Sequence, residues 1–288
     1  MKALKKTWFD YFLVVFFVLI LIVTLYPFLN VLAISLNDAT DTLRNVNFLI
    51  PRQFTLYNYN YVFKEGGIVG PLILSIVKTV VGTVVGVICT AMLAYVLSRK
   101  DFVFQKLFTV LFVITMYVGG GLIPDYLLIM RTLHLGNNFL VYILPGLLWV
   151  YNMILVRSYI DGLPLALQEA AHLDGANDFQ VWYKVILPLC TPVIATVALF
   201  YAVGQWNSFM DTYLYAKDLP TLQYKLYEIM SQATMQVDPH STGTLSRAVT
   251  PMAIRMAVTV VATVPIIVVY PFVQKYFVGG MTMGAVKS

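Results

Sequence analysis

Two cysteines and three histidines in 288 residues leave little material for a disulfide framework or a metal centre. Cys89 and Cys190 each lie in or beside an apolar run, which makes them packing residues. His134, His172 and His240 are far apart, lack the i, i+4 spacing of helical ligands and have no Cys/His cluster around them, so no metal is expected. Charge is scarce as well, at 11% of residues. The net charge of +5 is spread over the ends of apolar runs and forms no dense patch, which argues against nucleic-acid binding. A phosphate-binding G-x-x-x-x-G-K-[ST] loop is also missing. Gly119, Gly120 and Gly121 have no following Lys and no strand-to-helix context, so they read as a helix break or close-packing point.

What the chain does contain is apolar surface. Hydrophobic residues make up 59% of it and mean hydropathy is +0.78, against roughly 45–50% apolar in soluble domains. This composition belongs to an integral membrane protein. Six segments are long and apolar enough to cross a hydrocarbon core of roughly 30 Å as helices, near 11–36, 72–97, 104–128, 138–160, 185–207 and 255–277. The third and fourth are interrupted by GGGLIP and LPG. Such breaks survive in a bilayer only where protein or a water-filled cavity satisfies the freed backbone groups.

Lys2, Lys5 and Lys6 precede the first span, which resembles a signal peptide in outline. The apolar run is too long for a signal h-region and no small-residue cleavage pattern follows, so it reads as a retained span. Arg99, Lys100 and Lys106 fill the second connection, Arg157 and Lys184 flank the fourth, and Lys275 and Lys287 follow the sixth. The bias places these ends, and with an even span count both termini, in the cytoplasm. The opposite loops, near 37–71 and 208–254, are longer, more acidic and turn-rich, as in LNDATD and DPHSTG. With no repeat, low-complexity linker or soluble domain in evidence, the chain reads as one membrane domain over 1–288.

The polar stretch EAAHLDGANDFQVWYKVILP, at 169–188, interrupts this pattern. Pro164 suits the first turn of a short helix, Ala and Leu propagate it, and Gly175 offers the left-handed conformation that closes one. Asn177 or Asp178 can then cap a second helix carrying Phe179, Trp182 and Ile186 at helical spacing, with Pro188 at the entry to span five. The result is a helix-turn-helix over about 161–188 on the cytoplasmic side. Leu167, Phe179 and Trp182 are candidate apolar anchors for a partner groove. A headgroup-lying amphipathic connection would have the same spacing.

The stretch resembles the cytoplasmic EAA loop of ABC-importer permeases, E-A-A, three residues, G, nine residues, then I-x-L-P. Glu169, Ala170, Ala171, Gly175, Leu187 and Pro188 match it in register, and Val185 stands for the Ile. YPFLNVLAISL, FTLYNYNYVF, AMLAYVLSRKDF, GQWNSF and QKYFVGGMTMGAVK extend the resemblance to the maltose-permease type of carbohydrate importer. GGGLIPDYLLIMRTLHLGNN is similar to a subgroup for complex oligosaccharides, including aldouronates.

The resemblance implies an all-α, six-span transmembrane domain of type I ABC importers with a cytoplasmic coupling helix-turn-helix. It implies a non-catalytic subunit paired with a second, homologous permease. Two ABC ATPase subunits would bind ATP and Mg, and an extracytoplasmic solute-binding protein would deliver sugar. Glu169, Ala170, Ala171, Asp174, Gly175, Leu187 and Pro188 would couple to the ATPase, and the tail after Lys275 would face it.

For the sugar pathway the candidates are polar groups at membrane depth. Gln205, Trp206 and Asn207 end span five together, where amides and an indole could meet sugar hydroxyls and rings; helix packing with an interfacial Trp is the structural reading. Lys78 and Arg255, near the outer ends of spans two and six, snorkel to headgroups or attract an anionic sugar. An ion-coupled secondary transporter would show inverted repeats or a mid-span carboxylate, and a membrane scaffold would need neither the loop nor the broken spans.

Overall fold

The computed structural model describes residues 8–44, 49–64, 66–235 and 250–284; the side chains at 43, 44, 232–235 and 272–284 fall outside that description. Among the described residues the regular structure is helical, joined by turns and irregular connections, with one isolated bridge between Asn37 and Phe54. In chain order the helices are α1 (Trp8–Ser35), α2 (Ala39–Arg44), α3 (Tyr57–Lys64), α4 (Val69–Ser98), α5 (Gln105–Tyr117), α6 (Leu122–Leu127), α7 (Val150–Asp161), α8 (Ala166–Leu173), α9 (Asp178–Val181), α10 (Leu187–Leu189), α11 (Thr191–Asn207), α12 (Met210–Tyr215), α13 (Leu222–Met235) and α14 (Pro251–Gly284). They group into two compact units, Met1–Val69 with Leu226–Pro265, and Gly70–Lys225 with Ile266–Ser288.

α1, α4 and the Pro251–Pro271 part of α14 are each long and apolar enough to cross a membrane unbroken. They coincide with the expected first, second and sixth spans. The other three are built differently. α5 stops at Tyr117, the backbone runs extended from Val118, and Gly121 takes a φ of +87° before α6 starts at an angle of 112°. Gly119–Gly121 supplies the freedom for that turn.

The expected fourth span, 138–160, is not one helix. Pro145 and Gly146 break it, because proline removes a backbone donor and glycine loses the most entropy on ordering. What remains is a 3₁₀ turn at Phe139–Tyr142 and the 12-residue α7. The helix of the fifth span starts at Thr191, after an 84° bend from Asp178–Leu189. Cys190 marks that bend, so the entry lies two residues beyond Pro188.

In the first unit, residues after α1 are knotted by buried amides. Asn58 Nδ2 donates to the carbonyls of Ser35 and Asn37, both at 2.9 Å. Asn37 Nδ2 donates to Asp41 Oδ2 at 2.9 Å, and its Oδ1 accepts from the Gln53 amide at 2.8 Å. The described part of the expected 37–71 loop thus carries two short helices, while DPHSTG lies outside the described residues.

In the second unit, α4 organises the packing. Its buried stripe runs Ser75, Lys78, Gly82, Gly86, Thr90, Ala94 and Leu97, the three- and four-residue steps of one helix face. Its exposed faces carry Ile73, Val77, Val80, Val84 and Ile88. Small and polar residues inside with branched apolar ones outside is the pattern of a membrane helix, where lipid is as apolar as any side chain and close backbone approach drives packing. A Cβ on Gly86 would stand 2.8 Å from the Tyr201 ring, and one on Gly82 would stand 2.7 Å from Gln205 Nε2. The core beside this stripe joins Ala94 and Leu97 to Met153, Val156, Trp182, Val197 and Tyr201.

Candidate functional site

The polar interruption folds as the sequence indicates. α8 closes through Asp174 to Gly175, whose φ of +82° is the left-handed region that glycine enters without Cβ strain. Asn177 then caps α9 reciprocally, Oδ1 accepting from the Gln180 amide at 2.9 Å while Gln180 Oε1 accepts from the Asn177 amide at 3.0 Å. The chain continues through a π-helical turn, Trp182–Ile186, to α10.

Which face is free differs from the expectation in one respect. Trp182 is 6% exposed and belongs to the core, so it anchors this segment to its own unit and not to a partner. Phe179 lies tilted against its ring, the centroids 5.4 Å apart, and stays exposed, as does Leu167. Glu169, Ala170, Asp174, Gly175 and Pro188 are exposed, with Ala171 and Leu187 half-buried. Leu173 is 89% exposed, a large apolar side chain pointing away from its own core that sequence reasoning overlooked. Its signal was a leucine immediately before a helix-terminating Asp-Gly pair, with no periodic partner beyond the turn.

The connection between α4 and α5 meets this segment through Arg99. The guanidinium donates to both carboxylate oxygens of Asp101, at 2.8 and 2.5 Å, and to Asp178 Oδ1 at 2.6 Å. Arg99 Nη1 also donates to Tyr95 Oη at 3.2 Å and lies 3.3 Å from His172 Nε2. These bonds hold the Asp101 carboxyl down at about 2 and raise Arg99 still further, so both stay charged at any cellular pH. Beside them a cavity of about 600 Å³ is lined by Arg99, Gln105, Asp161, Gln168, Glu169 and His172.

A second polar centre sits among α4, α11, α12 and the 3₁₀ turn. Lys78, expected to snorkel to the headgroups or to attract an anionic sugar, is 1% exposed, and its Nζ lies 3.2 Å from Asp211 Oδ2 and 4.7 Å from the Tyr142 ring centre. Burial on the small-residue face of α4 leaves it no route to snorkel, and Asp211 balances its charge. Ser208 also bonds to Asp211 through its hydroxyl. Tyr142 Oη donates to the Leu219 carbonyl at 2.6 Å and shares a hydrogen bond with Thr212 at 2.9 Å.

The Gln205, Trp206 and Asn207 trio does not converge. Successive helical residues point about 100° apart, and here Gln205 faces Gly82 and donates to the Tyr142 carbonyl at 3.0 Å, Trp206 is buried and Asn207 is exposed. Arg255 is half-buried on α14, in the unit that does not contain Lys78. The backbone of the tail after Lys275 is helical to Gly284, and residues 285–288 lie outside the described residues.

This architecture has known counterparts. A polygalacturonan/rhamnogalacturonan transport system permease protein of Bacillus subtilis, YtcP, is 36% identical over 288 residues, 99% of this chain and 100% of that protein. The solved structure of a bacterial ABC transporter involved in the import of the acidic polysaccharide alginate contains a chain that matches with a TM-score of 0.81 and 27% identity, over 96% of this chain and 100% of that one. The chain belongs to the carbohydrate ABC-importer permeases. No protein-family model matches this permease. It is also 28% identical to the arabinooligosaccharides transport system permease protein AraQ of Halalkalibacterium halodurans, over 100% of both chains. As a permease subunit it is a membrane component without a catalytic centre.

Proposed function

We propose that this permease forms half of the translocation pathway of a binding-protein-dependent importer for an acidic oligosaccharide, and that 161–188 is its joint to an ATPase. Full-length similarity to a polygalacturonan/rhamnogalacturonan permease is the observation that carries the transport reading, and the alginate importer supports an acidic cargo. In this reading the chain crosses the membrane six times, with the two bent pairs and the Phe139–Asp161 stretch that ends in α7 completing three of the crossings. Both termini are cytoplasmic in this reading, which the Lys and Arg distribution supports. Its pathway partner is a second, homologous permease, and a solute-binding protein delivers the sugar from outside. The whole chain is one functional membrane domain.

α8 docks in the ATPase groove through Glu169, Ala170, Leu173, Asp174 and the Gly175 turn, with Ala171, Leu187 and Pro188 shaping the base. The small alanines permit close approach, and exposed Leu173 and Leu167 supply apolar contact area. ATP and Mg bind to the ATPase pair. ATP-driven closure works through this joint only if the closed ATPases bind one permease conformation more tightly than the other. Along the pathway, Gln205 is the polar residue we retain: its Oε1 is buried without a hydrogen-bond donor and becomes available to a sugar hydroxyl when the helices part.

Affinity purification of the tagged permease from gently solubilised native membranes tests both halves of this reading. Wild type is expected to carry an ATPase and a second permease, and Glu169→Lys and Gly175→Leu to lose the ATPase while keeping the second permease. Wild type arriving without an ATPase, beside a control importer that retains its own, would overturn the coupling assignment.

A further inference from the structure

The coupling segment is linked covalently to α7 at one end and to α11 at the other. A third link runs through space. Arg99, just past the C-terminal end of α4, reaches across to Asp178 at the first turn of α9 and to His172 on α8, 79 and 73 residues away in sequence.

We propose that Arg99 is a positioning residue that makes the C-terminal end of α4 move as one body with the coupling helix-turn-helix. Its own side chain is 22% exposed although both of its carboxylate partners are well exposed, so the guanidinium is the held member of the group. Asp101 grips two of its nitrogens from the same connection and fixes the plane of the fork. That leaves Nη1 aimed at Asp178, and Tyr95 Oη accepts from the same nitrogen and ties it to the last turns of α4. Tyr95 is itself 5% exposed and packed in the core with Trp182, the residue that follows α9. The ion pair is thus the polar rim of a packed contact, which is the setting in which a bidentate arginine keeps one geometry.

The consequence concerns the path of force. α4 carries the stripe of Gly82, Gly86 and Lys78 against α11, Tyr142 and Asp211, so a push on α8 reaches that polar centre through α4 as well as along the chain. The inference rests on the docking reading only for the source of the push; the clamp itself is a property of this chain.

The test uses the full-length permease in its purified complex, with Cys89 and Cys190 replaced by Ala and spin labels on Val96→Cys and Tyr183→Cys, both exposed positions. Pulsed electron resonance then reads their separation without nucleotide and after trapping with Mg-ATP and vanadate. The parent is expected to give one narrow distribution with the same mean in both states. Arg99→Gln and Asp178→Asn broaden it at least twofold and let the mean shift on trapping, and the exchange Arg99→Asp with Asp178→Arg narrows it again. A parent distance that changes on trapping, an Arg99→Gln distribution as narrow as the parent's, or an exchange that fails to narrow it would each overturn the clamp. The nucleotide-free distances judge the clamp even if Glu169→Lys retains the ATPase, an outcome that would remove the docking reading alone.

Discussion

α1 and α4 are nearly the same length, 28 and 30 residues, and both are strongly apolar. Their use is opposite. The most apolar window of α1 is 0% buried within the chain, and Phe9, Phe12, Phe16 and Phe17 all stand exposed along it. α4 is 22% buried over its window, along a stripe of small and polar residues. Hydropathy therefore finds a span without saying what the span does. In lipid the information lies in the residues that are not hydrophobic, because glycines admit a neighbour's backbone and buried polar groups must find partners.

The sharpest way to break this contrast is to fill the stripe. Gly86→Leu drives a side chain into the Tyr201 ring, which a Cβ alone would already approach to 2.8 Å, and should cost about 3 kcal/mol by overpacking. The check is thermal unfolding of detergent-solubilised protein, with a sharp loss of monodisperse material expected.

Charge on the same stripe comes next. Asp211→Asn strands the 1% exposed Lys78 and should destabilise by up to about 3 kcal/mol, whereas Lys78→Met leaves a carboxylate that is 35% exposed and should cost less. The double replacement should recover most of the loss, and an additive double mutant in the same unfolding measurement would dismiss the pair as an energetic unit.

A smaller effect is expected at Tyr201, whose hydroxyl shares a 2.8 Å bond with Thr90, donates to the Leu147 carbonyl and accepts from the Trp149 amide, both at 3.1 Å. Tyr201→Phe keeps the ring and unpairs those groups, for about 1–2 kcal/mol. Hydrogen exchange at the Trp149 amide should rise accordingly. On α1 the matching experiment is Phe16→Leu, which should shift stability by less than about 0.5 kcal/mol. A large loss there would mean that the exposed face of α1 has a protein partner.

The turn within 161–188 was legible because its chemistry is local. Gly175 announces a left-handed closure and Asn177 with Gln180 announces a capped start, and both act over a few residues of chain. The breaks at Gly119–Gly121 and at Pro145–Gly146 were visible too, but not how far the helix would yield. The bend of 112° and the shortening of the fourth span to α7 depend on what satisfies the freed backbone groups. Trp182 shows the limit most plainly. Its spacing with Phe179 puts both on one side of a helix, yet one is core and the other is exposed, because α4 and α7 cover only part of that side.

The sequence by itself determined that this is a membrane protein, where its most apolar helices run and where the 161–188 segment turns. Those properties follow from average hydropathy over a window and from backbone preferences of near neighbours. Only the tertiary structure decided that Lys78 answers Asp211 across 133 residues, that Gln205 and Asn207 point apart, and that Arg99 reaches Asp178. In a bilayer almost every face of a span is apolar enough to face lipid, so which faces meet is settled by the fit of a few small and polar side chains, and that fit exists only once the helices are in place.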